Sequence, residues 1–313
     1  MSALTALVNR PEQQNIWTRL WKYPVNTIAQ SVYNILAAVI PSPRIPEIPV
    51  RVVCVSDTHN NTISLPDGDI LIHAGDLSQS GSLKELQDQI DWLDEQPHAY
   101  KIVIAGNHDR CLDPEFACRD EKSVFGVYTG PEGLDWKSLI YLYDSTTTVK
   151  VAGDRELKLF GAPHTPKHGN WAFQYDRSDR QFWTNTSMPG DTDILITHGP
   201  PRAHLDLGRL GCPLLLSYLW SINRRPMLHV FGHVHGGYGV ETVVWDEFQR
   251  TYEMVMSRDQ GIMGLVMMLR CGIRRIAAFI SGANRRGQTI MVNAAIVGGV
   301  RDEKRREAIS VDI

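Results

Sequence analysis

The chain has 313 residues, of which 43% are hydrophobic and 21% charged, enough apolar material to bury a large core as one α/β domain. A formal net charge of −3 gives no global basis for nucleic-acid binding. Five cysteines (Cys54, Cys111, Cys118, Cys212, Cys271) without CxxC spacing argue against a disulfide framework and against a structural zinc knot.

Residues 1–48 differ in character from the rest of the chain. Trp17, Leu20 and Trp21 lie at helical spacing beside Arg19 and Lys22, Pro24 interrupts, and Asn26 is placed to cap a second helix running to Ile40. Pro41, Pro43 and Pro46 then end it in an extended linker. Two readings stand side by side: helices packed on the domain surface, or an interfacial anchor making peripheral membrane contact, since Trp, Leu and basic residues suit that boundary. No secretory pattern opens the chain, so a cytoplasmic location is expected.

From Val50 onward short β-branched runs alternate with loops and helices. Val52–Val55, Ile70–Ile72, Ile102–Ile104, Ile194–Ile196 and Leu228–Phe231 read as buried strands. Ser82–Glu95 reads as an amphipathic helix through Leu83, Leu86, Ile90 and Leu93. Val149–Val151 and Glu156–Phe160 flank Gly153-Asp154 as a hairpin. Leu205–Leu219 is expected to be helical beyond Pro213, Thr242–Trp245 to be a strand, and Ile290–Val292 to be another. Between them, Ile262, Leu265, Val266, Leu269, Ile273, Ile276, Ala277 and Ile280 mark a basic amphipathic helix within a helical insertion near 246–287, read as a helix closing over the core or as one that lies on a membrane or docks on a partner. The domain is thereby expected to cover 49–313, with Arg301–Arg306 as a solvated charged tail.

Each of the five strands ends in residues able to hold a metal. Asp57-Thr58-His59 follows the first, Gly75-Asp76 the second, Gly106-Asn107-His108-Asp109 the third, Thr197-His198 the fourth and Gly232-His233-Val234-His235 the fifth. The rim beyond strand ends is where open α/β sheets bind ligands. A carboxylate such as Asp76 has two oxygens and can bridge two cations, so Asp57, His59, Asp76, Asn107, His198, His233 and His235 supply about four ligands per ion. Mixed N and O donors favour two divalent or trivalent ions of Mn, Fe or Zn. Two such ions about 3.5–4 Å apart would share a hydroxide and clamp phosphate oxygens. His108 is then the expected general acid for the leaving alkoxide, and Asp109 the group that orients its ring.

With these motifs in this order, the chain resembles the calcineurin-like metallophosphoesterases, whose pattern is D-x-H, G-D, G-N-H-[DE], H and G-H-x-H. The stretches around Ser56–His59, Ile72–Asp76, Tyr100–His108, Thr197–Pro201 and Val230–His233 are similar to the metallophosphoesterase-domain-containing branch and its fungal relatives. The resemblance implies a four-layer α/β/β/α sandwich of two mixed sheets. It places Asp57, His59, Asp76 and His235 around one ion, and Asp76, Asn107, His198 and His233 around the other, with His108 as proton donor.

A phosphoesterase acting on a small-molecule phosphodiester, a cyclic nucleotide among them, or on a phosphomonoester is therefore expected. A catalytically silent metal-binding module on the same fold is the alternative, and it would predict missing ligands. A nuclease is weakly supported by Arg270–Arg275, Arg285-Arg286 and Lys304–Arg306. His73 and His229 are expected in the core, His98, His168 and His204 on the surface. Trp171, Phe173 and Tyr175 are read either as a substrate wall or as a buried strand.

Overall fold

In the computed structural model the described residues are 14–39, 46–119, 131–257, 261–280, 287–299 and 301–313. Two helices, α1 (Ile16–Lys22) and α2 (Pro24–Val39), precede β1 (Arg51–Val55), β2 (Ile70–Ala74), α3 (Leu83–Asp94), β3 (Tyr100–Ile104) and the short α4 (Pro114–Arg119). Then follow β4 (Leu139–Tyr141), the hairpin β5 (Ser145–Val151) and β6 (Arg155–Ala162), the two-residue β7 (Thr165–Pro166) and β8 (Gln174–Tyr175), and α5 (Phe182–Asn185). The chain continues through β9 (Ile194–Thr197), α6 (Pro213–Ser221), β10 (Leu228–Phe231), β11 (Gly239–Val244), α7 (Glu247–Met256) and α8 (Ile262–Ile280). It closes with β12 (Gln288–Asn293), β13 (Val297–Gly298), β14 (Lys304–Arg305) and β15 (Ile309–Asp312).

The strands build two mixed sheets, ordered β15-β1-β2-β3-β4 and β11-β12-β10-β9-β6-β5. In the first, β1 through β4 run parallel and β15 pairs antiparallel with β1. In the second, β6, β9, β10 and β12 are parallel and β5 and β11 close the edges antiparallel. Alternation along each strand divides the core. Val52, Cys54, Ile70, Ile72 and Ile104 meet Leu159, Ile194, Ile196 and Val230 between the sheets. The intervening Val53, Val55, Leu71 and Val103 pack under Leu86, Ile90 and Leu93 of α3. On the other side Phe160, Leu195 and Phe231 lie under Leu215 and Leu219 of α6. The result is a four-layer α/β/β/α sandwich.

Helix α3 starts where Ser82 accepts from the Glu85 N–H. A fourth cluster gathers Ala29 and Tyr33 of α2, Phe248, Tyr252 and Val255 of α7, and Met268 of α8. Here Pro24 opens a helix rather than breaking one: it takes the first helical position, where a missing N–H costs nothing. Asn26 therefore lies inside α2 and does not cap it. Its amide instead donates to the carbonyls of Val255 and Met256, serving the C-terminus of α7. The expected linker at Pro41 and Pro43 lies outside the described residues.

Two expectations about surface residues need correction. His204 and His98 are buried, not on the surface; His204 is held between Glu241 and Glu253, and His98 meets the Pro66 carbonyl. Phe173 and Tyr175 are core residues, as the buried-strand reading expects, and they form no substrate wall. The tail near Arg301–Arg306 is not simply solvated: Arg306 donates to the carbonyls of His235 and Ala295. No helix among the described residues is long and apolar enough to cross a membrane.

Candidate metal centre

Because β1, β2 and β3 are neighbours and parallel, their C-terminal ends carry Asp57, Asp76 and Asn107 to one edge of the first sheet. Strands β9 and β10 bring His198 and His233 to the matching edge of the second. The sheets are stitched at that edge. The Ser56 N–H donates to the Ala294 carbonyl (3.0 Å). His198 Nδ1 lies 2.9 Å from the Ala74 carbonyl, which can only accept, so the proton sits on Nδ1 and Nε2 faces the site.

Two donor sets result, each with its ligand atoms within 4.8 Å of one another: Asp57, His59 and His235, and Asp76, His198 and His233. Asp76 Oδ2 lies between them, 3.8 Å from His59 Nε2 and 3.3 Å from His198 Nε2. Asn107 Oδ1 is 3.1 Å from His198 Nε2, and His235 Nε2 is 3.1 Å from Asp57 Oδ1. All seven residues expected to hold metal are thus in one place. A third group joins His59 and Asp76 to His108.

The backbone gives way to make this convergence. Asp57, His59, Asp76 and His233 all have positive φ, between 45° and 63°, a conformation that costs non-glycine residues on the order of 1–3 kcal/mol each and concentrates at functional sites. Close approach also needs glycine at two points. A Cβ on Gly106 would overlap the backbone N and Oδ1 of Asp76, and one on Gly232 would overlap the Asp57 carboxylate and Ser56 Oγ.

His108 is held by groups that the sequence did not reveal. Its Nδ1 lies 2.7 Å from the Gln79 carbonyl, and its ring stacks on Trp171 at 4.4 Å between centroids. The guanidinium of Arg110 lies 4.8 Å from the centroid of Trp171. Asp109 does not orient this imidazole, contrary to expectation. Its oxygens accept from the N–H groups of Leu77, Ser78 and Gly106 and from Ser78 Oγ, so this buried carboxylate instead ties the Gly-Asp turn to the Gly-Asn-His turn. Asp302 adds a second orienting contact: its carboxylate accepts a hydrogen bond from His235 Nδ1 at 2.8 Å, which turns Nε2 toward Asp57. Only its distance in sequence hid it.

The protonation states suit cations. Burial works to raise both carboxyls, but His235 holds Asp57 well below the usual carboxylate range and the His198 charge does the same for Asp76. Burial pushes His59 down to about 4 and His233 to about 3, leaving neutral imidazoles with free lone pairs. His198 moves the other way, to about 9: burial opposes its charge, but the Asp76 carboxylate outweighs burial. Ionised carboxylates, the neutral imidazoles of His59 and His233 and an amide oxygen form a donor set fit for two transition-metal ions, which His198 would join on giving up its Nε2 proton to a cation. Among the described residues, no Lys or Arg is paired with Asp57 or Asp76.

Residues 50–237 match the family model described as Calcineurin-like phosphoesterase. The chain is 51% identical over 312 residues to "Probable rhamnogalacturonate lyase C" of Emericella nidulans, an alignment that takes 100% of this chain and 29% of that protein. It is 41% identical over 209 residues to "Metallophosphoesterase domain-containing protein 1" of Homo sapiens and, equally, of Mus musculus, covering 61% of this chain and 62% of those proteins. The chain therefore spans less than two thirds of the length of these relatives. The match takes in more than half of the chain, with every strand end that supplies a donor inside it, and so this chain belongs to the calcineurin-like phosphoesterase family.

Proposed function

We propose that this protein is a metal-dependent phosphoesterase that cleaves a small-molecule phosphodiester or phosphomonoester, with cyclic nucleotides in the first group. The reading rests on one observation: Asp76 Oδ2 lies 3.8 Å from His59 Nε2 and 3.3 Å from His198 Nε2, one from each candidate donor set, while its other oxygen, Oδ1, accepts from the His108 backbone N–H (2.7 Å). Asp57, His59, Asp76 and His235 would hold one ion, and Asp76, Asn107, His198 and His233 the other. Bound there, two ions of Mn, Fe or Zn supply Lewis acidity toward phosphate oxygens and lower the pKa of water.

The chain's own residues do the rest. The Gln79 carbonyl and Trp171 set the His108 ring, with Nδ1 committed to Gln79, so Nε2 is the atom that gives a proton to the departing alkoxide. Asp302 and the Ala74 carbonyl keep His235 and His198 in the tautomers that present Nε2 to the site. The lyase name belongs to a protein of which this chain covers 29%, and it carries no activity across.

Hydrolysis of bis-p-nitrophenyl phosphate and p-nitrophenyl phosphate in the presence of Mn²⁺ tests the proposal, with His108→Ala and Asp76→Asn beside wild type. Turnover by wild type that the variants lack is expected. Equal rates from all three would refute it. Metal binding with no turnover across a phosphoester panel would favour the silent module.

A further inference from the structure

Helix α8 is apolar on two sides. Gly264, Met268, Gly272 and Arg275 face the protein; Leu36 of α2 and Phe248 of α7 close on Gly272, and Arg275 pairs with buried Asp246. The opposite face belongs to solvent, yet it carries Ile262, Val266, Leu269, Ile273, Ile276 and Ile280 at spacings of four and three residues. These lie between 39% and 79% exposed. An exposed apolar stripe of this length on a helix marks a site of contact with protein or lipid. Helix α2 packs on α8 and also carries α1, which presents Trp17 and Trp21 at 77% and 89% exposure. Ile16, Leu20, Ile28 and Ile35 line an apolar groove of about 470 Å³ between α1 and α2. Fourteen of the eighteen large exposed hydrophobics among the described residues fall on α1, α2 and α8.

Charge selects the occupant. Helices α1, α2 and α8 contain no acidic residue, while Lys22, Arg270 and Arg274 are exposed on them. In a chain of net charge −3 this is a marked local excess of positive charge. A second copy docked through these faces would bring like charges together with no acid in those helices to answer them. An anionic lipid surface answers them, and indole, isoleucine and methionine side chains enter its acyl boundary.

We infer that the exposed faces of α1, α2 and α8 dock this protein on the surface of an anionic bilayer, as a peripheral and not a spanning contact. Co-flotation of the full chain with phosphatidylcholine vesicles, with and without phosphatidylserine, tests this at low and high salt. The comparison pairs wild type with Ile273→Gln/Ile280→Gln and with Trp17→Ser/Trp21→Ser. Each protein is read against its melting temperature and its p-nitrophenyl phosphate rate, which exposed substitutions leave unchanged. Wild type is expected to float with the phosphatidylserine vesicles, less so at high salt, and each double variant to bind about tenfold more weakly or worse. No flotation, equal flotation of wild type and variants, or equal binding to both lipid mixtures would overturn the inference. Sedimentation showing a dimer that the variants dissociate, with no vesicle binding, would assign the faces to a second copy instead. Neither result depends on whether the metal centre hydrolyses phosphoesters.

Discussion

Asp76 Oδ1 accepts the backbone N–H of His108 at 2.7 Å. On the proposed reading, the carboxylate that would bridge two ions is also the anchor of the loop that carries the proton donor. Metal binding and proton donation would then be coupled through one side chain. Asp76→Asn keeps an oxygen for that hydrogen bond and removes the charge between the two donor sets. It should retain the fold but bind fewer ions, and lose activity by about two orders of magnitude or more. Metal content by mass spectrometry alongside kcat checks this; full metal occupancy in the variant would contradict it.

His108→Gln should separate the two roles. Metal content is expected to stay at the wild-type level, because the seven other donors remain. Loss of a positioned proton donor typically costs about 10²–10⁴-fold in rate. The loss should be larger for a poor alkoxide leaving group than for p-nitrophenolate, which leaves without help. A uniform loss across leaving groups would point to misplacement of substrate rather than proton transfer.

Asp109→Ala should act on stability first. Four donors, from Leu77, Ser78 (N–H and Oγ) and Gly106, would lose a buried acceptor. Leaving such groups unpaired costs about 1–3 kcal/mol each before relaxation or entry of water. A fall in the urea midpoint with little change in slope is expected, larger than that for His108→Gln. An unchanged midpoint would show that these two turns hold together without it.

His204 should make stability pH-dependent in the alkaline range. Burial disfavours its charge, but Glu241 and Glu253 on its two ring nitrogens more than offset this and raise it to about 10. Its folded value lies above the unfolded value of about 6.5, so the native state binds the proton more tightly. That contribution is fully present below about pH 6.5 and lost as pH rises toward 10. Melting temperature should therefore drop between pH 7 and 10 in wild type, and drop less over that interval in His204→Gln. Parallel curves would exclude His204 as the source.

Much of the architecture could be read along the chain because β-branched runs buried on both faces leave a continuous apolar signature. All five strands carrying site residues are of this kind. Within the helical insertion expected near 246–287, α7 has no clear apolar period of its own, because Gln249, Thr251 and Glu253 are buried on it. Strand β15 is only four residues long, and its pairing with β1 is a contact between the two ends of the domain.

Residue types and their spacing alone determined that this chain carries a candidate metal-ligand set at strand ends, since donor chemistry and strand period are both local properties. Which neighbours steer those donors was decided only in three dimensions. The Gln79 carbonyl on His108, Asp302 on His235 and the Glu241–His204–Glu253 network join groups at least 29 residues apart. A hydrogen bond of that kind depends on where folding brings two atoms, not on any pattern along the backbone. The same holds for α8: its period predicts an apolar face, but only packing shows that the face buried against α2 and α7 is a different one, leaving the isoleucine stripe exposed.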